Sequence, residues 1–411
     1  MRILYKIGIR VYFLLVLVAS PFNNKARRWL KGRRGMWRKI KSMNGIERDV
    51  IWFHCSSLGE FEQGRPLIEK LRKEKPDVFL LLTFFSPSGY ELRKNYSVVD
   101  LVTYLPLDTR FNAWRFINLV KPKAAYFIKY EFWYYFLRTM RKKNIPVFLV
   151  SAKFRPDQAF FKWWGRWYRK FLRFFTHFFV QDKQSLELLN HLNIYNVSIT
   201  GDTRFDRVYE ISRVSKEYPG VELFKQNKKI LIAGSTWEKD EDLLIRYINH
   251  SDEGLKFILA PHEINAKKIY HLISEIEASA VKFTDEDKSL FAGSKVMIID
   301  TIGHLSSIYK YGDVAYIGGG FGSGIHNILE AATYHLPVVF GPNYHKFNEA
   351  VELIDKKAAF SISDYEGLNQ SLNELFSNQD ELYSCSERAG NYVKSKLGAT
   401  EQILKESLQM I

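Results

Sequence analysis

Cysteine is nearly absent. The chain of 411 residues has two, Cys55 and Cys385, far apart and with no CxxC or Cys/His cluster around them. That speaks against a disulfide framework or a structural zinc site and fits a reducing compartment. No H-x-x-x-H pair occurs either. The acid pairs Asp240-x-Asp242 and Asp285-x-Asp287 follow no strand, read as solvated acidic faces, and leave no metal site to expect. Long apolar runs are also lacking. Residues 11–19 read VYFLLVLVA, short of the ~20 residues of a spanning helix. Ala19-Ser20-Pro21 is a poor signal-peptide cleavage site. Internal repeats and low-complexity tracts are missing too.

Acid is scarce where base is dense. Between residues 25 and 41 stand nine Lys/Arg and no Asp or Glu. A short apolar segment followed by such a cluster suits a membrane-surface anchor on an anionic leaflet, or an uncleaved span with the cluster on the cytoplasmic side. Over the whole chain, 60 Lys+Arg against 45 Asp+Glu give +15, a balance that favours polyanionic partners without choosing among them. Around residues 160–178, Lys162, Arg166, Arg169, Lys170 and Arg173 recur at helical spacing among Phe160, Trp163, Trp164, Trp167, Phe171, Phe174, Phe175 and Phe178. The spacing predicts a basic, aromatic amphipathic helix.

Apolar, β-rich runs alternate with helical patterns. Runs at 50–55, 78–83, 101–105, 124–128, 147–151 and 197–201 read as buried strands; so do 230–234, 257–260, 296–300, 314–317 and 338–341. This alternation predicts an α/β architecture of two Rossmann-like lobes, each a parallel sheet wrapped by helices. A polar stretch at 212–228, with Pro219-Gly220, is the expected linker. The domains then run 1–41 (anchor and basic cluster), 42–211 (N-terminal lobe) and 229–411 (C-terminal lobe). Ligands are expected in a cleft at the carboxyl ends of the strands.

The best-marked site is Gly318 to Glu330, GGGFGSGIHNILE, with five glycines in its first seven residues. A strand ending at Ile317, glycines, and a helix starting near Ile325 would cradle a phosphate. Asn327 and Glu330 share one face of that helix. The block is neither a Walker motif nor a dinucleotide fingerprint. Ser235 and Thr236 end one strand, and His262 follows another. In the first half, Glu60 opens a helix after a strand, where the macrodipole alone would favour it by ~0.3–1 kcal/mol, yet where a general base would also sit.

In this order, the motifs resemble the 3-deoxy-D-manno-octulosonic acid (Kdo) transferases of lipopolysaccharide synthesis. They are S-L-G-E at 57–60, Y-L-P-L-D at 104–108, E-F-W at 131–133, G-D-T-R-F-D at 201–206, G-S-T at 234–236, D-T-I-G-H-L at 300–305, the Gly318 block and G-P-N at 341–343. The resemblance implies a GT-B fold, an interlobe cleft, and metal-independent, cofactor-free, inverting transfer of Kdo from CMP-Kdo to a lipid A precursor at the cytoplasmic face of the inner membrane. It implies Glu60 as the base. It implies donor contacts from Arg204, Ser235, Thr236, His262, Gly319, Gly320, His326, Asn327 and Glu330. On the acceptor side it points to Ser57, Ser86, Glu131 and Lys153. Anionic lipid is an expected partner and nucleic acid is not. Three positions depart from the family pattern. Ala260-Pro261-His262 stands for Pro-Arg-His, Gly318-Gly319-Gly320 for Gly-Gly-Ser, and Ser151-Ala152-Lys153 for Asn-Ala-Arg; Arg204 also replaces a usual lysine. The competing readings are a GT-B transferase with another nucleotide sugar, and a non-enzymatic anionic-lipid or nucleic-acid binder.

Overall fold

The computed structural model describes residues 1–411. It divides into two compact units: Met1–Arg207 with Leu397–Ile411, and Val208–Lys396.

The first unit holds a sheet of seven strands: β1 (Val50–Cys55), β2 (Phe79–Phe84), β3 (Leu101–Tyr104), β4 (Ala124–Ile128), β5 (Val147–Ala152), β6 (His177–Val180) and β7 (Val197–Ile199). Their order is β3-β2-β1-β4-β5-β6-β7, and every pairing is parallel. Helices cover both faces, so β1, β2 and β4 are buried at every residue and read as largely apolar runs. The second unit repeats the plan with β8 (Lys229–Thr236), β9 (Leu255–Pro261), β10 (Ala280–Lys282), β11 (Val296–Ile298), β12 (Val314–Ile317), β13 (Val338–Phe340) and β14 (Ala359–Ser361). The order is β10-β11-β9-β8-β12-β13-β14, again all parallel. The strand order reverses between β1 and β4 in the first sheet and between β8 and β12 in the second, where β10 and β11 also stand in exchanged places. Open parallel sheets bind ligands outside the carboxyl ends of the strands at such a reversal.

Several expectations change. The C-terminal helix Ala399–Leu408 packs into the first unit's core through Ile403 and Leu404. Tyr126 and Ser407 share a hydrogen bond of 2.8 Å, and the Asp206 carboxylate accepts from the amides of Gly398 and Thr400. The stretch 212–228 contains a helix, Pro219–Lys225, that buries Val221 and Phe224, and the division between units falls earlier, after Arg207.

The segment 160–178 is not one helix. It forms short 3-10 turns at Ala159–Phe161 and Trp163–Trp167, four helical residues at Arg169–Leu172, and then β6. Gly165 lies so close to the preceding turn that a Cβ there would sit 1.8 Å from the carbonyl oxygen of Ala159. Arg169 donates from Nε to the Phe160 carbonyl and from Nη2 to that of Lys162. Bulky rings lose rotamer freedom in a helix, and here side-chain donors replace the helical amides. The rings part company: Phe160, Phe171 and Phe175 are buried while Trp163 is 90% exposed.

At the N-terminus, the helix Arg2–Ala19 buries none of its residues completely. No single helix in the chain is long and apolar enough to cross a membrane; only the pair Arg2–Ala19 and Asn24–Lys41, bent by 117°, reaches that length and apolar content together. Tyr5 tethers the first helix. Its ring lies among Tyr134, Tyr135, Trp167 and Phe171, and its hydroxyl donates to Asp108 at 2.5 Å. The basic stretch behind it belongs to the body of the unit, since Trp29, Met36 and Ile40 are buried. Arg33 stacks on Trp29, Tyr104 and Phe85, and burial pushes its guanidinium down to about 9.

Candidate functional site

At the reversal in the first sheet, β1 ends at Cys55 and the chain turns through Ser56 and Ser57 into the helix Leu58–Glu74. Glu60 folds back on the cap: its Oε2 accepts from the Ser57 amide at 2.7 Å and from Ser57 Oγ at 2.9 Å. Such a reciprocal cap is worth about 1 kcal/mol to the helix end, and it leaves Oε1 unengaged. Burial and the like charge of Glu131 push the Glu60 carboxyl above its ordinary range, against the hydrogen bonds from Ser57. Glu131 itself follows β4 and is buried. Its Oε2 accepts from Trp133 Nε1 at 2.5 Å and lies 3.0 Å from His54 Nε2. The other ring nitrogen of His54 meets Thr83 Oγ1 at 2.8 Å. Ser86 caps the helix Pro87–Arg93 after β2, and its amide donates to the Ser56 carbonyl. Ser57, Glu60, Ser86 and Glu131 therefore gather at the carboxyl ends of β1, β2 and β4. Lys153 stands just beyond β5, 3.9 Å from Asp182. His54 and Trp133 were not singled out by the sequence reading; their signal was a histidine at a strand end and the aromatic of E-F-W.

Arg204, read as a donor contact, lies in this first unit. Its amide and Nε both donate to the buried Asp202 carboxylate, at 2.9 Å each. Gln63 and Gln181 donate to the same carboxylate.

The second reversal carries the glycine block, and one expectation fails there. The helix after it spans only Leu329–Thr333 rather than starting near Ile325. Asn327 Oδ1 accepts from the Leu329 amide, a local side-chain bond that competes with an earlier helical start. Asn327 Nδ2 still donates to Glu330 Oε1 at 2.9 Å, so those two residues meet. Gly319 was expected among the donor contacts, and its amide has a partner inside the unit. It donates to Asp240 Oδ2 at 2.8 Å. Asp240 is no solvated acid: it is 1% exposed and also accepts from the Trp237 amide and the Tyr316 hydroxyl.

The glycines chiefly let backbone meet backbone. A Cβ on Gly318 would lie 2.3 Å from the Ser235 carbonyl oxygen, and one on Gly320 would lie 2.6 Å from Gly341. Gly319 takes φ +93°, which favours glycine. The amides of Gly318, Gly319, Gly322 and Gly324 are all internally bonded, whereas those of Gly320, Phe321 and Ser323 have no internal acceptor. These three are the donors the turn presents.

Around them, Ser235 holds φ +55°, a strained conformation for a residue with a side chain. Thr236 is buried and donates to Glu241 Oε1 at 2.9 Å. Trp237 Nε1 donates to His326 Nε2 at 3.0 Å, with the two rings only 10° from parallel, so they lie side by side as one flat surface. His262 stacks on both, at 4.6 Å from Trp237 and 4.4 Å from His326. Burial and the neighbouring His262 push the His326 pKa down, which keeps the ring neutral as the acceptor this bond requires. Trp237, the centre of this platform, was missed; its signal was an aromatic following G-S-T. No group of three or more His, Cys, Asp or Glu is placed to hold a metal ion.

Comparison with known proteins meets this geometry. Residues 28–207 match the family model described as 3-Deoxy-D-manno-octulosonic-acid transferase (kdotransferase). The chain is 28% identical to the 3-deoxy-D-manno-octulosonic acid transferase of Aquifex aeolicus over 342 residues, covering 82% of this chain and 88% of that one. It is 26% identical to that of Rickettsia bellii, covering 98% and 96%. Among solved structures, the UDP-GlcNAc 2-epimerase of Neisseria meningitidis matches with a TM-score of 0.62 at 14% identity, over 88% of this chain and all of that one. MurG of Acinetobacter baumannii matches at 0.56 and 14%, over 89% and 100%. The fold is GT-B: two Rossmann-like units, each with a parallel seven-stranded sheet.

Proposed function

We propose, from the match of residues 28–207 to the Kdo transferase family model and the likeness to curated Kdo transferases over most of the chain, that this chain moves Kdo from CMP-Kdo to a lipid A precursor with inversion at the anomeric carbon. The observation that carries the reading is the pair of sites at the two sheet reversals, one with a half-buried carboxylate and the other with free amides beside an aromatic platform. In this reading Glu60 Oε1 takes the proton of an acceptor hydroxyl. The acceptor's hydroxyl oxygen forms the new glycosidic bond at the anomeric carbon as the bond from that carbon to the CMP phosphate breaks, and the electron pair leaves with CMP. A carboxyl raised above its ordinary range is a stronger base once ionised, which suits the task. The amides of Gly320, Phe321 and Ser323 would take the phosphate charge, with no metal ion required of the chain. The flat Trp237–His326 surface would stack the cytosine, and Glu330 would reach the ribose hydroxyls.

The acceptor is amphiphilic, so the chain would work at the inner membrane's cytoplasmic face. Ile3, Leu4, Leu15 and Val18 of the first helix are exposed, as are Phe22 and Trp163. Such a strip beside a basic cluster suits the membrane interface.

The test is incubation of the chain with CMP-Kdo and a tetraacyl lipid A precursor in detergent, with product mass and CMP release followed. One or more added Kdo masses is the expected result. No product with CMP-Kdo, but turnover of a UDP-sugar, would overturn it.

A further inference from the structure

Five cations line one cavity of about 340 Å³ in the first unit: Arg2, Lys6 and Arg10 of the N-terminal helix, Arg110 at the start of the helix Arg110–Val120, and Arg138 of the helix Tyr134–Lys142. None of the five has a carboxylate partner or a side-chain hydrogen bond. Elsewhere on this unit arginines are paired, as in Arg48–Asp100, Arg65–Glu69 and Arg93–Glu62. The one acid of the cavity is Asp108, and it is already occupied. It accepts from the Tyr5 hydroxyl and from the amides of Tyr135 and Phe136. Five positive charges thus face one satisfied carboxylate, a crowding that an anion bound there would relieve. The space equals roughly ten waters at ~30 Å³ each, room for a phosphate and the group that carries it. Arginine forks bind phosphate oxygens in pairs.

The helix that supplies three of these cations says where the anion comes from. At 3.6 residues per turn its side chains fall into three sectors. Tyr5 and Tyr12 face the body of the unit, against Tyr134 and Trp29. Leu4, Val11, Leu15 and Val18 point outward and are exposed. Arg2, Lys6 and Arg10 form the flank between these sectors, so the cavity lies beside an unpartnered apolar strip. A ligand with an anionic head and hydrocarbon tails satisfies both at once.

We infer that this cavity is a binding site for the phosphate headgroup of a membrane lipid, separate from the Glu60 site. The inference rests on the membrane-surface part of the proposed function and not on the identity of the sugar. Phosphate held there fixes the first helix against the bilayer and sets the depth of the unit in the interface.

The experiment uses the full chain and floating vesicles of phosphatidylcholine with and without phosphatidic acid. Arg110→Gln/Arg138→Gln alters the cavity without touching the N-terminal helix, and Lys142→Gln/Lys143→Gln removes the same charge nearby. The cavity pair is expected to weaken binding to the phosphatidic acid vesicles ~10-fold or more, at about 1 kcal/mol for each cation near an anionic surface. The control pair should lower it less than ~3-fold, and Arg110→Lys/Arg138→Lys should restore most of the loss. Equal weakening by cavity and control pairs, or no weakening, overturns the site. Inorganic pyrophosphate separates the sources. If it binds the cavity and phosphatidic acid vesicles do not compete with it, the lipid assignment is lost. Product formation from CMP-Kdo is measured on the unsubstituted chain alone, so failure of the transferase reading registers there and leaves the vesicle result intact.

Discussion

Glu60 has two duties, and its two oxygens divide them. Oε2 closes the helix cap with Ser57, and Oε1 is left for chemistry. Replacement by glutamine keeps the cap's geometry, because an amide oxygen can still accept from the Ser57 amide, but removes the base. Glu60→Gln is expected to lower turnover by ~10²–10⁴-fold while CMP-Kdo binds nearly as before. Near-normal turnover by the folded variant would end the assignment. The active form is the carboxylate, so turnover should fall as pH drops, and the acid limb should sit above the ordinary glutamate range because burial and Glu131 raise the group. Asp108 supplies a stability counterpart. Burial pushes it up from 3.8 to about 6. The folded state therefore holds the proton more tightly than the unfolded chain. This contribution is full below about 3.8 and is lost as pH rises through about 6, a change on the order of 3 kcal/mol. Relative to Asp108→Asn, which does not titrate, the parent should lose stability to urea between pH 4 and pH 7. Parallel pH profiles for the two proteins would refute this.

The elements explain why some features could be read from residues and others could not. Buried parallel strands are apolar on both faces, so β1, β4, β8 and β12 were legible as runs, and with them the positions where the chain must turn. The short edge strands β10 and β14 have three residues each and no comparable run. The glycine block shows a subtler limit. Glycine reads the same whether it admits a ligand or another piece of backbone, and only the neighbours decide. Here Gly318 and Gly320 admit backbone, while Asp240, on the helix Glu238–His250 that follows β8, accepts from the Gly319 amide. Two substitutions separate these roles. Gly320→Ala drives a Cβ into Gly341 and should cost about 1–3 kcal/mol and weaken CMP binding. Gly322 has only an ordinary contact at 3.5 Å and no positive φ, so Gly322→Ala should stay within about 0.5 kcal/mol of the parent. Thermal unfolding with and without CMP reads both, and equal effects would contradict the packing account.

On the scale of the whole molecule, the doubling of one α/β plan was visible in the alternation of runs, and the likeness to the Kdo transferases in the ordered motifs. The return of Leu397–Ile411 to the first unit was not, because a C-terminal amphipathic helix carries no label for the sheet it will join; Asp206 and Ser407 supply that label only once folded. The N-terminal helix poses the same problem in reverse. Its apolar residues suggested an anchor, yet Tyr5 ties it to Asp108 in the body of the unit. Deleting residues 1–24 would therefore uncover Asp108 and its aromatic neighbours, mixing lost membrane binding with lost stability. A cleaner test leaves Tyr5 in place and alters only the outward sector. Leu4, Leu15 and Val18 are 62%, 63% and 70% exposed. Changing all three to Gln removes apolar area that is already in water, so thermal stability should move by less than about 1 kcal/mol. Each such side chain, fully buried in the interface, is worth roughly 1.5–3 kcal/mol, so even partial insertion makes the triple change cost at least tenfold in vesicle binding. If the triple variant sediments with vesicles as fully as the parent, this helix does not hold the chain to the membrane, and the exposed Trp163 and Trp164 become the contact to test.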